Sequence, residues 1–173
     1  MKYVQVRLVD ETGGVTEGDG ELQVKGPCVF KEYLNNPIAT SQTFDQDGWF
    51  KTGDIAWRDS DGYHMIKGRA STDIIKSAGY KVSALEIERE LLSCNEVDEV
   101  AVVGQIDEVK GEKIVAVVKA SAPLDEKMLN KWLEDKLAHY KRPKEYIFVK
   151  EIPRNALGKV NKKTLLKELK NND

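Results

Sequence analysis

The stretch from Gly68 to Glu88, GRASTDIIKSAGYKVSALEIE, decides the fold that we expect for this chain. It begins with a Gly-Arg turn, continues as a β-branched run and turns again at Gly79-Tyr80. Ser83 is a favourable N-cap, and Glu86 three residues later completes a capping box at the start of a helix. An arginine, lysines and flexible backbone in one segment favour contact with a phosphate-bearing ligand.

The residues before this stretch have the punctuation of β-structure. Tyr3–Val9 and Glu21–Lys25 are predicted to be short strands, and residues 55–67 are predicted to form a hairpin around Ser60-Asp61-Gly62. Asn36-Pro37 is predicted to begin a short helix, because proline is tolerated at the first helical position.

The residues after Lys67 alternate helices and strands. We predict strands at 97–104, 113–120 and 146–149, a helix that begins after Asp125, and a last helix capped by Asn161. The helix after Asp125 carries apolar residues at helical spacing, namely Leu129, Trp132, Leu133 and Leu137. The order α-β-β-α-β-α predicts helices packed on a sheet. We therefore expect an α+β chain, with a β-rich part over residues 1–69 and a small α/β domain over residues 70–173.

Composition indicates a soluble globular protein. Charged residues make up 32% of the chain, and no apolar run approaches the ~18–20 residues that span a bilayer, so no transmembrane segment is expected. Cys28, Cys94 and the two histidines lack zinc-ligand spacing, so no metal site is expected. One disulfide is conceivable, but both thiols are predicted to be buried and reduced.

The last part of the chain is basic. Residues 141–173 contain ten basic and four acidic residues, which indicates either a solvated surface or a surface that faces an anionic ligand. Few aromatic residues accompany these charges, so nucleic acid is not expected as a partner.

Three residues are of types that bind nucleotides. Asp54 in FKTGD (50–54) could accept two hydrogen bonds from a ribose, or it could make a turn hydrogen bond. Arg69 could fork onto phosphate or ribose oxygens, or form a surface salt bridge. Lys159 in PRNALGKV (153–160) could remain in solvent, or deliver a positive charge into the cleft of another domain.

The order and spacing of these motifs resemble the adenylate-forming superfamily of acyl-CoA synthetases, nonribosomal-peptide adenylation domains and beetle luciferases. The five similar segments, which match the sixth to tenth core motifs of that family, are GELQVKGP with the following YL, FKTGD, the Gly68–Glu88 stretch, LAHYKRP and PRNALGKV. The resemblance covers essentially the whole chain. It implies the tail of the large N-terminal AMP-binding domain over residues 1–69, and the C-terminal AMP-binding-enzyme domain over residues 70–173.

The resemblance also implies residue roles. Asp54 and Arg69 would bind ATP or AMP, with Asp54 on the ribose hydroxyls. Lys159 would be catalytic and bridge the substrate carboxylate and the α-phosphate during adenylation. The loop made of Ser77, Ala78, Gly79 and Tyr80 would line the pantetheine tunnel of coenzyme A.

A domain hinge is expected just after the Gly-Arg pair. One residue more than is usual in the family separates Arg69 from Lys76, so the hinge could be Ser71, Thr72 or Asp73. The longer spacing resembles the malonyl-CoA synthetase branch of the family.

The implied activity is that of an ATP-dependent acid–CoA ligase, which forms an acyl-adenylate and then an acyl-CoA thioester. Its partners would be a small carboxylic acid, such as malonate or another short- or medium-chain acid, together with ATP, coenzyme A and the missing N-terminal domain. Mg²⁺ would bind with ATP through ligands outside this chain. The family's phosphate loop and acyl pocket do not occur in these residues, so the isolated chain is expected to be inactive.

Two alternatives remain at this stage. The chain could be a non-catalytic binding or cap module, or an adenylation domain that acts on a carrier protein. A cytoplasmic and a mitochondrial location are both open.

Overall fold

A computed structural model describes residues 3–109 and 111–170. The chain divides into two compact units, unit 1 up to Ser71 and unit 2 from Thr72 onward. This division lies two residues after the boundary predicted between Arg69 and Ala70. The assignment of the units to the two domains of a larger enzyme stays a prediction.

From residue 3 onward, unit 1 is an antiparallel meander with one short helix. Its strands pair in the order β1-β2-β3-β4, and their bounds are β1 Gln5–Val9, β2 Gly20–Lys25, β3 Phe50–Arg58 and β4 His64–Arg69. Helix α1 (Pro37–Thr43) begins where predicted, because Asn36 Oδ1 accepts a hydrogen bond from the Ala39 amide (3.0 Å).

Strand β3 begins earlier than the sequence suggested. The hairpin was predicted to start at Ile55, but β3 already pairs with β2 at Phe50, opposite Val24. Gly53 and Asp54 therefore lie inside a strand instead of at its start.

Over its described residues, 72–109 and 111–170, unit 2 is a five-stranded sheet with three α-helices. The strands are β5 (Ile74–Ser77), β6 (Tyr80–Ser83), β7 (Glu99–Asp107), β8 (Gly111–Lys119) and β9 (Glu145–Phe148). They pair in the order β6-β5-β8-β7, and β9 runs parallel to β8. The helices are α2 (Ala84–Leu92), α3 (Glu126–Glu134) and α4 (Lys162–Lys170).

The predicted helix starts in unit 2 are confirmed by their caps. Ser83 Oγ accepts from the Glu86 amide (3.2 Å), and Asp125 Oδ1 accepts from the Met128 amide (2.8 Å). Asn161 Oδ1 accepts a hydrogen bond from the Thr164 amide (3.1 Å), as an N-cap does.

The predicted apolar face of α3 is only partly correct. The helix ends at Glu134, so Leu137 lies in the following turn, although it is buried there. Trp132 lies at the rim, where it is 36% exposed and its indole N–H donates to the Glu90 carbonyl (2.9 Å).

Helices cover both faces of the β7–β8 pair. Side chains alternate along each strand, so Val100 and Val102 pack with α2 and α3, while Ala101 and Val103 pack with α4. The fold class expected from the sequence, α+β with a small layered C-terminal part, is confirmed.

The prediction of two buried thiols is wrong for one of them. Cys94 is buried, but Cys28 is exposed, because it lies in the turn that follows Gly26-Pro27. Both cysteines are free thiols.

Candidate functional site

Asp54 and Arg69, predicted to contact the nucleotide, are neighbours in unit 1. They are directly opposite each other on β3 and β4. Arg69 Nε lies 3.0 Å from Asp54 Oδ1, and the Arg69 guanidinium also donates to the Thr52 carbonyl (2.6 Å). The Arg69 side chain is 58% exposed and that of Asp54 is 30% exposed, so the pair remains accessible to a ligand. The arrangement offers one cation and one anion side by side, which suits a molecule with phosphate oxygens and hydroxyls.

Gly53 makes this arrangement possible. Its φ is +75°, and a Cβ at this position would lie 3.0 Å from the Arg69 guanidinium. The Gly53 amide donates to Glu21 Oε1 (3.2 Å), and its carbonyl accepts from the Ala70 amide (2.9 Å). A glycine is thus required here both for the backbone conformation and for the space that Arg69 occupies.

The Ser77–Tyr80 loop is a tight hairpin turn in unit 2. Ser77 and Tyr80 pair as the last residues of β5 and the first of β6, which leaves Ala78 and Gly79 as the two turn residues. Both have positive φ, +48° and +83°. This is the geometry of a two-residue primed turn, which favours Asn-Gly, so Ala78 holds a conformation that is costly for its side chain. Tyr80 is exposed and stacks on Tyr140, with ring centroids 4.3 Å apart.

Lys159 lies on a tight loop held by side chains that the sequence analysis did not single out. The Asn155 amide donates to the Lys159 carbonyl (2.8 Å), and Asn155 Oδ1 accepts from the amides of Leu157 and Lys159 (3.0 Å each). Arg154 donates to the Gly158 carbonyl (2.8 Å). The one sequence signal for this role is an asparagine three residues before a glycine, which is typical of a side-chain-stabilised turn. Lys159 itself is exposed.

An ion-pair network joins this loop to the sheet. Arg154 pairs with Glu99 at the start of β7, and Glu99 also pairs with Lys119 at the end of β8 (2.6 Å). The hydrogen bonds from Lys119 and then Arg154 lower the pKa of the Glu99 carboxyl below its usual range. The same contact with Glu99 raises the pKa of Lys119.

The structure holds the Ser77–Tyr80 turn and the Lys159 loop at opposite ends of the β7–β8 pair. Ser77 pairs with Gly111, the first residue of β8. The Lys159 loop is anchored through Arg154 to Glu99, which pairs with Lys119, the last residue of β8. At about 3.4 Å per residue, these two ends are roughly 27 Å apart along β8. The two groups therefore cannot act together on one small reacting centre.

Neither a metal site nor a membrane span stands out. Within residues 3–109 and 111–170, no group of three or more His, Cys, Asp or Glu side chains could hold a metal ion. None of the helices in these ranges is long and apolar enough to cross a bilayer.

Known proteins share this sequence and fold. Residues 86–159 match the model of the AMP-binding enzyme C-terminal domain. The chain is 49% identical over 164 residues to the mitochondrial malonate–CoA ligase of Xenopus laevis, covering 91% of this chain and 28% of that protein. The human mitochondrial malonate–CoA ligase is 46% identical over 159 residues, covering 90% of this chain and 27% of that protein. The chain thus spans less than a third of the length of these relatives.

Solved structures agree with these matches. ATP-bound MatB from Rhodopseudomonas palustris is 39% identical, with a TM-score of 0.85, and the alignment covers 96% of this chain and 34% of that one. The o-succinylbenzoate-CoA synthetase of Bacillus subtilis, in complex with its acyl-adenylate intermediate, is 33% identical with a TM-score of 0.88, covering 94% and 34%. The resemblance to the C-terminal portion of the adenylate-forming enzymes is confirmed.

Proposed function

Residues 86–159 belong to the AMP-binding enzyme C-terminal domain family, and we propose that this chain is the C-terminal portion of an ATP-dependent acid–CoA ligase. The placement of the Lys159 loop and the Ser77–Tyr80 turn at opposite ends of one rigid sheet carries the proposal. A two-step ligase needs different groups at its active site in each step, and a unit with two functional ends can present them in turn.

In the first step, a carboxylate oxygen of the acid attacks the α-phosphorus of ATP. The bond from that phosphorus to the bridging oxygen breaks, pyrophosphate leaves, and an acyl-adenylate is formed. Lys159 is proposed to offset the negative charge that builds up on the α-phosphate. Asp54 is proposed to accept hydrogen bonds from the ribose hydroxyls, and Arg69 to contact the ribose and phosphate oxygens.

In the second step, the thiolate of coenzyme A attacks the acyl carbon, and AMP leaves with the electron pair of the broken carbon–oxygen bond. Ser77, Ala78, Gly79 and Tyr80 are proposed to line the path of the pantetheine arm. The turn is accessible there, since Ala78, Gly79 and Tyr80 are exposed. Mg²⁺ is proposed to accompany ATP through ligands outside this chain.

The hinge is proposed to lie at Ser71 or Thr72. The contact division between the units falls between these two residues. Asp73, the third candidate, is fixed within unit 2, because its carbonyl accepts from the Ala84 amide (2.7 Å) and its carboxylate pairs with Lys162 (2.7 Å). A residue bound in this way is poorly placed to rotate freely.

Malonate is the acid that we propose. The support comes from the malonate–CoA ligases of Xenopus laevis and human, to which the chain is similar over nine-tenths of its length. Location in the mitochondrion or the cytoplasm stays a prediction.

Lys159→Ala tests the proposal in a ligase that carries this chain after its ATP-binding part. We expect adenylation to slow by about 10²–10³-fold, by analogy with loss of one preorganised charge contact. Thioester formation from supplied malonyl-adenylate should change little, since Lys159 would act only in the first step. The two rates are measured separately by pyrophosphate release and by thioester formation.

Equal slowing of both half-reactions would contradict the two-ended arrangement. The chain alone serves as a control, and we expect it to release no pyrophosphate, because the phosphate loop is absent from its sequence. Gly158→Ala is not a suitable control, because Gly158 itself has positive φ (+77°).

A further inference from the structure

Lys162 forms an ion cluster with Asp73 and Glu88 that the proposed mechanism does not use. Its Nζ lies 2.7 Å from Asp73 Oδ1 and 2.8 Å from Glu88 Oε1. The Lys162 side chain is only 11% exposed, and those of Asp73 and Glu88 are 14% exposed. These side chains are less exposed than those of the Arg7–Asp45 pair (22% and 21%), and two carboxylates share one ammonium.

The cluster joins four elements of unit 2. Asp73 immediately precedes β5, Glu88 lies on α2, and Lys162 is the first residue of α4. Glu88 Oε1 also accepts a hydrogen bond from the Val102 amide on β7 (2.8 Å). The ammonium thus ties the start of unit 2 to the helix that follows the Lys159 loop.

The Lys159 loop is directly connected to this ion cluster through the start of α4. The two ends of the loop are joined by backbone contacts. The Asn161 amide donates to the Pro153 carbonyl (2.9 Å), and Arg154 and Val160 form an isolated antiparallel β-bridge. Asn161 is the residue before Lys162 and caps α4. A displacement of Lys162 would therefore displace the base of the loop.

Stability alone does not account for this lysine. A cation at a helix N-terminus faces the positive end of the helix dipole, which is unfavourable. Burying charged groups carries a desolvation penalty, and replacing such clusters with apolar residues of similar volume is often neutral or stabilising. The cluster instead supplies short, directional contacts, which fix the relative positions of Asp73, α2 and α4.

We propose that Lys162 is a positioning residue, which holds the Lys159 loop in a fixed place relative to the segment just after the hinge. This inference rests on the role proposed for Lys159. When unit 2 turns about the hinge, the Asp73–Lys162 contact makes the loop turn with it as one body. Lys159 then reaches the α-phosphate without a separate search by the loop.

The first test uses the chain itself, by hydrogen exchange. Lys162→Met keeps the length of the side chain and removes its charge. We expect the amides of Gly158 and Lys159, which are hydrogen-bonded within the loop, to exchange about tenfold faster, while β7 and β8 keep their protection. Asp73→Asn, which weakens the same contact from the other side, should act in the same direction if Lys162→Met does not fold.

The matched control is Lys113→Met. Lys113 also pairs with a carboxylate in unit 2, Glu145 (2.5 Å), but this pair lies on β8 and β9, away from the loop. Loop amides that exchange equally in Lys162→Met and the unaltered chain would overturn the proposal. Faster exchange in Lys113→Met as well would also overturn it.

The second test uses the ligase described above. We expect Lys162→Met to slow adenylation by about 10–100-fold and to spare thioester formation, because misplacing a reacting group has costs of this order. Lys162→Arg should restore most of the rate, since it keeps the charge. Equal loss in both half-reactions, or no rescue by arginine, would contradict a positioning role.

The two tests also separate this inference from the proposed function. If Lys159→Ala leaves adenylation unchanged, the function proposed for Lys159 is wrong, whatever Lys162→Met does. If Lys159→Ala slows adenylation while Lys162→Met does not, only the positioning role is wrong.

Discussion

Unit 1 and unit 2 are each built on a sheet, but the two sheets are covered very differently. In unit 2, α2 and α3 pack on one face of the sheet and α4 on the other, and residues 114–118 of β8 are 1% exposed or less. In unit 1, Trp57, Met65 and Ile66 are 40%, 47% and 50% exposed. Among the described residues of unit 1, the buried apolar ones are Leu8, Val9 and Ala56.

The candidate site residues are therefore held in two different ways within this chain. In unit 1, Asp54 and Arg69 are fixed by strand pairing, by Gly53 and by their own ion pair, with little hydrophobic burial beneath them. In unit 2, the Lys159 loop is attached to a sheet with a dense apolar core. Hydrophobic burial supplies most of the stability of a folded unit, so unit 2 is expected to be the more stable of the two units.

The contrast between the two units predicts its largest effect in the core of unit 2. Leu133 is 0% exposed, so Leu133→Ala should lower the free energy of unfolding of unit 2 by about 2–5 kcal/mol. Ile66→Ala in unit 1 should change stability by less than about 0.5 kcal/mol. Denaturant unfolding followed by Trp132 fluorescence, with Trp49 and Trp57 replaced by Phe, measures unit 2, and unfolding followed by Trp49 and Trp57, with Trp132 replaced by Phe, measures unit 1. Similar losses for both variants would contradict the contrast between the two sheets.

A smaller effect is expected at Gly53 in unit 1. Gly53→Ala places a side chain at positive φ and 3.0 Å from the Arg69 guanidinium, so β3 and β4 should lose about 1–2 kcal/mol of local stability. Hydrogen exchange of the β3 and β4 amides measures this loss. Gly48→Ala is the control, because Gly48 also has positive φ (+79°) but no atom within 4 Å of a new Cβ. If both variants lose the same amount, Arg69 is not constrained by Gly53.

A stabilising effect is expected at Ala78 in unit 2. Ala78→Asn should raise the stability of unit 2 by about 0.5–1 kcal/mol, because asparagine accepts the positive φ that alanine holds here at a cost. Thermal or denaturant unfolding detects the gain. Ala122→Asn, at an exposed alanine outside the positive-φ positions, should be close to neutral. A loss of stability in Ala78→Asn would mean that the turn is not of the primed type.

The smallest effect is expected from the pH dependence of the Lys159 loop. The pKa of Glu99 is lowered in the folded chain by Lys119 and Arg154, so its contribution is present above the ordinary carboxyl pKa of about 4.3 and is lost as pH falls through the lowered value. The loop amides should therefore become less protected below about pH 4. Glu99→Gln should remove this pH dependence, which NMR-detected exchange of the Lys159 amide can follow. An unchanged pH profile in Glu99→Gln would assign the effect to another carboxyl.

Local features of this protein were predictable from sequence because their causes are local. Ser83, Asp125 and Asn161 cap helices where the sequence placed them, since a cap needs only its own side chain and the amides that follow. The start of β3 and the end of α3 were wrong because pairing with β2 and packing in unit 2 override local preference.

The residues of the candidate site also differ in how far the sequence predicted them. The motifs that identify Asp54, Arg69 and Lys159 are continuous in sequence and were recognisable as such. Arg154 and Lys162 were not singled out, because their ion-pair partners are distant along the chain, whereas Asn155 has local partners and its spacing to Gly158 is a signal in the sequence. Lys162 appeared only as one of many lysines in a basic tail, since nothing in the sequence links it to an aspartate 89 residues away.

The sequence by itself determined the resemblance to the family, the order of the elements, the helix caps and the charged residues proposed to contact a ligand. These are set by short-range chemistry and by motif order. The tertiary structure alone decided that the Ser77–Tyr80 turn and the Lys159 loop lie at opposite ends of one sheet, and that Lys162 is enclosed by Asp73 and Glu88. Both results depend on strand register and on helix packing, which bring together residues that are distant along the chain.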